Sequence, residues 1–153
     1  MSEPSTQHVA LKDQLAHSQS EARMVLPGIQ ALFGFQTIAT FNSRFAELPQ
    51  AAVWTHLGAL GLNALAIALI MAPTAYHRLA QPATLSEELV RRYSRFISAA
   101  MFPLAASFAL EMTIVVATAT GSAASGVIAG CANALVIASL WFALPLYRRL
   151  QAR

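Results

Sequence analysis

Glu111 is the one acidic residue inside four long apolar stretches, residues 24–44, 52–74, 96–119 and 124–147. An ionised carboxylate at such a depth in a bilayer costs at least about 2.5 kcal/mol, so it must face protein or water. A carboxyl in that setting can take up and release a proton. Each of the other stretches carries one amide side chain at a comparable position: Gln36, Asn63 and Asn133. Counted inward at 1.5 Å per residue, all four polar groups fall roughly 12 to 16 Å from the same end of their helices. His56 lies seven residues before Asn63 and so shares its helical face.

Two chemistries fit this set. One is a proton or cation site in which Glu111 binds and the amides hydrogen-bond, with His56 relaying protons. The other is interhelical glue, polar contacts of about 0.6 kcal/mol each that hold a bundle together, with His56 facing the membrane interface. Enzyme chemistry is not expected. No spacing of His, Cys or acid suits a metal, no glycine-rich loop would cradle a phosphate, and no nucleophile has a base to activate it. No cofactor is implied.

The elements that position these groups are membrane helices. The chain is 153 residues long, 56% hydrophobic and only 11% charged, with a mean hydropathy of +0.52, outside the range of soluble domains. Each apolar stretch has about the 20 residues needed to cross a roughly 30 Å hydrocarbon core. The first is the least apolar, because it contains Gln30, Gln36 and Asn42 and has Pro27 near its start. With four spans, Lys12, Arg23, Arg78, Arg91, Arg92, Arg95, Arg148, Arg149 and Arg153 share one side and only Arg44 lies opposite. The positive-inside rule then puts both ends in the cytoplasm. The net charge of +3 is thus an orientation signal, and nucleic acid is not an expected partner.

The expected fold is therefore all-α, a membrane-embedded four-helix bundle made of two hairpins. It comprises a cytoplasmic segment 1–23 that is retained and contains a short amphipathic helix at 8–22, a four-span domain 24–147, and a basic tail 148–153. Thr84 and Glu87 have capping-box spacing ahead of the third span. Glu87 with Arg91 and Glu88 with Arg92 are i,i+4 pairs, and Arg44 with Glu47 is a candidate local pair. Tyr76, His77, Arg78, Tyr147, Arg148 and Arg149 sit where interface anchors belong. Cys131, alone in the chain, reads as a small apolar filler.

Two further patterns concern packing. Ser122, Gly126, Gly130, Ala134 and Ala138 recur every four residues, a ridge of small side chains that admits a second backbone closely, either span two or a second copy. Asn63 to Ala68 and Asn133 to Ala138 match at five of six positions, and Tyr76 to Leu79 and Tyr147 to Leu150 at three of four, which is compatible with a parallel repeat of the hairpin.

Glu21-Ala22-Arg23 before Leu26-Pro27-Gly28-Ile29-Gln30, Arg44-Phe45 with Leu48, and Ala72-Pro73-Thr74-Ala75-Tyr76-His77-Arg78-Leu79 resemble a family of small bacterial membrane proteins of unknown function. Some members of that family carry the label sodium:proton antiporter. The resemblance is clearest over the first two spans and implies four membrane helices in a bacterial cytoplasmic membrane. It supplies no catalytic motif. The expected role is proton- or cation-coupled transport through an oligomeric bundle centred on Glu111. The alternative is an accessory or scaffold subunit of a larger membrane complex. The expected partners are the lipid bilayer and further copies of the chain.

Overall fold

The computed structural model describes residues 4–80 and 87–151, all of them in helices or the short turns between helices. Helix α1 runs Pro4–Thr40, a 3-10 turn follows at Ser43–Glu47, and α2 spans Gln50–Ala80. Helix α3 covers Glu87–Thr120 and α4 Ala123–Ala138; a π-helical turn at Ser139–Ala143 joins α4 to α5, Leu144–Gln151. The all-α bundle expected from the apolar stretches is present.

Three helical segments are long and apolar enough to cross a membrane: Gln50–Tyr76, Val90–Thr120 and Ala123–Gln151. The apolar stretches of the sequence predict four. Helix α1 is ample in length but falls short in hydropathy, because its second half holds Gln30, Gln36, Thr37 and Thr40 among the apolar residues. It also differs in its bounds. The helix stops at Thr40 rather than Arg44, and residues 8–22 belong to the same continuous rod instead of a separate short helix.

Contacts between named residues set the directions. Near one end Gln36 meets Asn63 and Glu111, while farther along Ile29 shares a core with Ala66, Ile70, Ala100 and Leu104. Numbers fall along α1 as they rise along α2 and fall along α3, so α2 runs antiparallel to both neighbours. At the far end the Tyr93 hydroxyl donates to Thr74 Oγ1 at 3.2 Å, tying α3 to α2. Helices α2 and α3 form the centre, α1 lies against both, and α4 packs along α3.

The α3–α4 hairpin is closed by Gly121, whose φ of +66° is a left-handed conformation that glycine adopts without a Cβ penalty. Ser122 then caps α4, its Oγ accepting from the Ser125 amide at 3.3 Å. Within the chain the glycines of the small-residue ridge pack against α3 and not against span two. A Cβ on Gly130 would lie 2.8 Å from the Ala109 carbonyl and would overlap Thr113, and one on Gly126 would lie 2.6 Å from the Ala117 Cβ. The ridge therefore seats on the Ala109, Thr113 and Ala117 face of α3, and its last member, Ala138, is exposed. Cys131 also points outward rather than filling the core.

Pro145 explains the π turn. Proline has no N–H for the carbonyl four residues back and its ring crowds that carbonyl, so the helix widens by one residue to pass it. The Leu144 amide accordingly bonds to the carbonyl of Ser139, five residues earlier. The widened turn carries Trp141 against the core cluster and stacks Phe142 on Phe102, ring centroids 4.6 Å apart.

The outer surface is apolar: Leu57, Leu65, Met71, Phe102, Val115, Val127, Ile128, Leu135 and Val136 are all exposed, while Gln36, His56, Asn63 and Ser107 are buried. Soluble proteins bury the first kind and expose the second. This inversion is what a hydrocarbon solvent selects. The two hairpins are not packed alike, and Asn63 and Asn133, equivalent in the sequence similarity, have different surroundings.

Candidate functional site

Five side chains from three helices converge where α1 ends against α2 and α3. Gln36 comes from the last turns of α1, His56 and Asn63 from one face of α2, and Ser107 and Glu111 from one face of α3, four residues apart. Glu111 Oε1 lies 2.9 Å from His56 Nδ1 and accepts from Gln36 Nε2, also at 2.9 Å. The same Gln36 nitrogen reaches Ser107 Oγ at 3.3 Å, and Gln36 Oε1 accepts from Asn63 Nδ2 at 3.0 Å. Ser107 in turn donates to the Ala59 carbonyl at 2.9 Å. Gln36 is thus the hub that joins α1 to both central helices.

The other ring nitrogen of His56 decides the protonation chemistry. Nε2 lies 3.0 Å from the main-chain carbonyl of Gln36, and a carbonyl can only accept, so Nε2 carries a hydrogen. Nδ1 faces Glu111 with one proton to place between them. On nitrogen it makes an imidazolium and a carboxylate; on oxygen it makes a neutral imidazole and a carboxylic acid. Both arrangements have zero net charge, which is why the pair tolerates an apolar surrounding.

Access is one-sided. Side-chain exposure is 5% for His56 and 17% for Glu111, and Gln36, Asn63 and Ser107 are buried. Glu111 is the member of the cluster that reaches the bundle surface. Phe45, from the 3-10 turn, packs edge-on against His56 with centroids 5.3 Å apart and covers the imidazole from the loop side. Asn63 Oδ1 is buried and has no partner among the described residues, leaving one acceptor in the cluster unspent.

Of the candidates named from sequence, Gln36, Asn63, Glu111 and His56 come together. His56 is buried in the cluster and does not face the membrane interface. Asn133 does not join them. It sits on α4, half-buried, and donates to the Phe108 carbonyl on a different face of α3 at 3.3 Å; equal depth along two helices does not give equal facing. Ser107 was missed, although its position four residues before Glu111 places it on the same helical face. Among the described residues no group of three His, Cys, Asp or Glu could hold a metal ion.

At the opposite end, Glu88 and Arg92 pair as their spacing suggests, at 2.6 Å. The Arg92 guanidinium also sits over the Tyr76 ring, 4.6 Å from its centroid. Tyr76, Arg78, Tyr147, Arg148 and Arg149 are exposed at the helix ends, and the Tyr147 oxygen accepts from Gln151 at 2.8 Å. Arg44 and Glu47 are exposed on the 3-10 turn, and no described ion pair joins them. Thr84 and the side chains of His77 and Glu87 lie outside the described residues, and with them the capping box and the Glu87–Arg91 pair.

A helical bundle with an apolar exterior, three segments long and apolar enough to cross a membrane and a buried acid–imidazole pair is now joined by one comparison: residues 6–145 match the family described as Family of unknown function (DUF6328). The chain belongs to DUF6328. The match runs from the first half of α1 to the start of α5 and so takes in every member of the cluster. No curated protein and no solved structure matches the chain.

Proposed function

We infer that this DUF6328 protein is a proton-handling membrane protein in which Glu111 and His56 form the exchange site of a proton-coupled transport pathway, completed by association of several copies. The observation that carries this reading is the His56–Glu111 contact at 2.9 Å, with the second imidazole nitrogen held by a carbonyl. That geometry keeps one shared proton and zero net charge at rest. A proton gained or lost changes the charge of a group held in an apolar region, and such a change can be coupled to movement. Glu111, at the bundle surface, is the point of exchange. Its partial exposure at membrane depth also supports association, since a second copy or water must face it.

In this reading α1 is a fourth span, less apolar than the others because it carries Gln36 inward onto α2 and α3 and Gln30 on its exposed side. Four spans place nine of the ten basic residues on one side, and both termini are then cytoplasmic, in a bacterial cytoplasmic membrane. The second reading is an accessory or scaffold subunit. It is favoured by the hydrogen bonds of Gln36 to two other helices, which would clasp a bundle equally well without any proton movement.

The test is proton flux in vesicles reconstituted with purified protein, under an imposed pH gradient and under an applied potential. Wild type is expected to move protons, and Glu111→Gln, which keeps the size but removes the acid, is expected to fold and move none. A wild-type protein that moves no protons under either force, with Glu111→Gln as stable as wild type, overturns transport. The accessory reading then stands, and predicts co-purification with a larger membrane complex.

A further inference from the structure

At the opposite end of the bundle from the His56–Glu111 cluster, α2 and α3 part to form a crevice of about 190 Å³ lined by Ala72, Pro73, Tyr76, Phe96 and Arg92. Its walls are apolar apart from the guanidinium. The crevice lies where the apolar segment of α2 ends at Tyr76 and that of α3 begins at Val90, the depth at which acyl chains meet headgroups. Arg92 is held rather than free: Tyr76 lies under its guanidinium and Glu88 binds one of its nitrogens at 2.6 Å. A guanidinium has five donor hydrogens, so most remain for another acceptor.

We propose that this crevice binds an anionic phospholipid, with an acyl chain against Ala72, Pro73 and Phe96 and the phosphate on Arg92. Charge complementarity selects the headgroup. Arg91 and Arg95 flank Arg92 on α3, and Arg78, Arg148 and Arg149 lie exposed at helix ends on the same side of the bundle. A planar guanidinium forks onto phosphate oxygens, and basic pockets between membrane helices at the headgroup level are suited to anionic lipids. The apolar walls select a lipid over a free anion, because inorganic phosphate gains nothing from Ala72, Pro73 and Phe96. Neither step depends on proton transport.

The site is tested by reconstituting the full chain into nanodiscs of mixed phosphatidylcholine and phosphatidylglycerol, extracting it in mild detergent, and counting retained lipids by native mass spectrometry. Wild type is expected to retain phosphatidylglycerol several-fold over phosphatidylcholine. Arg92→Gln removes the phosphate partner and is expected to abolish that preference. Ala72→Phe fills the crevice without altering any charge and is expected to do the same, whereas Arg148→Gln with Arg149→Gln leaves it in place. Should Ala72→Phe fail to fold by circular dichroism, Phe96→Trp narrows the crevice from α3. Equal retention of the two lipids by wild type overturns the proposal. So does an undiminished preference in the folded crevice-filling variant, which would mean diffuse attraction to the basic end. Displacement of the retained lipid by inorganic phosphate would point to a free-anion site and likewise overturns it.

Discussion

Replacing Gly130 by alanine adds one methyl group where α4 lies close against α3. The new Cβ would lie 2.8 Å from the Ala109 carbonyl and would overlap the Thr113 side chain. Thr113 cannot simply swing aside, because its hydroxyl donates to the Ala109 carbonyl at 2.9 Å on the same crowded face. Helices α3 and α4 must then separate, and overpacking of this kind costs about 1 to 3 kcal/mol. Alanine recovers up to about 1 kcal/mol of helix propensity over glycine, so the comparison should be with a glycine where only that gain applies. Gly61 on α2 is such a site, with nothing within 4 Å of its Cβ position. Gly61→Ala is expected to be neutral or slightly stabilising, and Gly130→Ala about 1 to 3 kcal/mol less stable than Gly61→Ala. The readout is unfolding by a denaturing detergent in a mild-detergent background, followed by tryptophan fluorescence in a Trp54→Phe background, so that the signal comes from Trp141, which packs on the core from the turn after α4. Equal stability of the two variants would refute the close α3–α4 contact. A Gly130→Ala protein that unfolds normally but loses a cross-linked oligomer would move the ridge to an interface between copies.

Two further substitutions address the cluster. His56→Ala leaves Glu111 without the group that balances its charge and should cost about 3 to 5 kcal/mol, measured in the same unfolding assay; Glu111→Gln should cost less than about 1 kcal/mol, and equal losses would contradict the shared-proton arrangement. Ser107→Ala removes the donor to the Ala59 carbonyl and one acceptor of Gln36, while Gln36 keeps Glu111. A loss near 1 kcal/mol is expected, and a loss above about 3 kcal/mol would show that Ser107, not Gln36, holds the cluster together.

Much of the candidate site could be read along the chain because burying polar groups in an apolar stretch is costly enough to mark them. Glu111, Gln36 and Asn63 stood out for that reason alone. His56 was less legible, since a histidine near a helix end suits a wet interface as well as a buried pair, and only the α1 carbonyl and Phe45 around it distinguish the two. Ser107 was hidden by its type: serine hydroxyls are cheap in membrane helices when they bond back to the backbone, and here the hydroxyl bonds to a different helix.

By itself the sequence determined that the chain is a bundle of long helices with an apolar exterior, because hydropathy and helix length are properties of each segment taken alone. It also determined which polar groups had to find partners and which end of the bundle is basic. Only the tertiary structure decided which faces meet. Gly126 and Gly130 could seat any close backbone, and it is the Ala109, Thr113 and Ala117 face of α3 that receives them. Asn133 has the depth of Glu111 but the wrong azimuth, and a pattern of spacing within one helix carries no information about rotation relative to another. The proton-sharing geometry belongs to the same class. His56 and Glu111 are 55 residues apart in the chain, and the carbonyl that fixes the imidazole is main chain, common to every residue and so invisible to any motif.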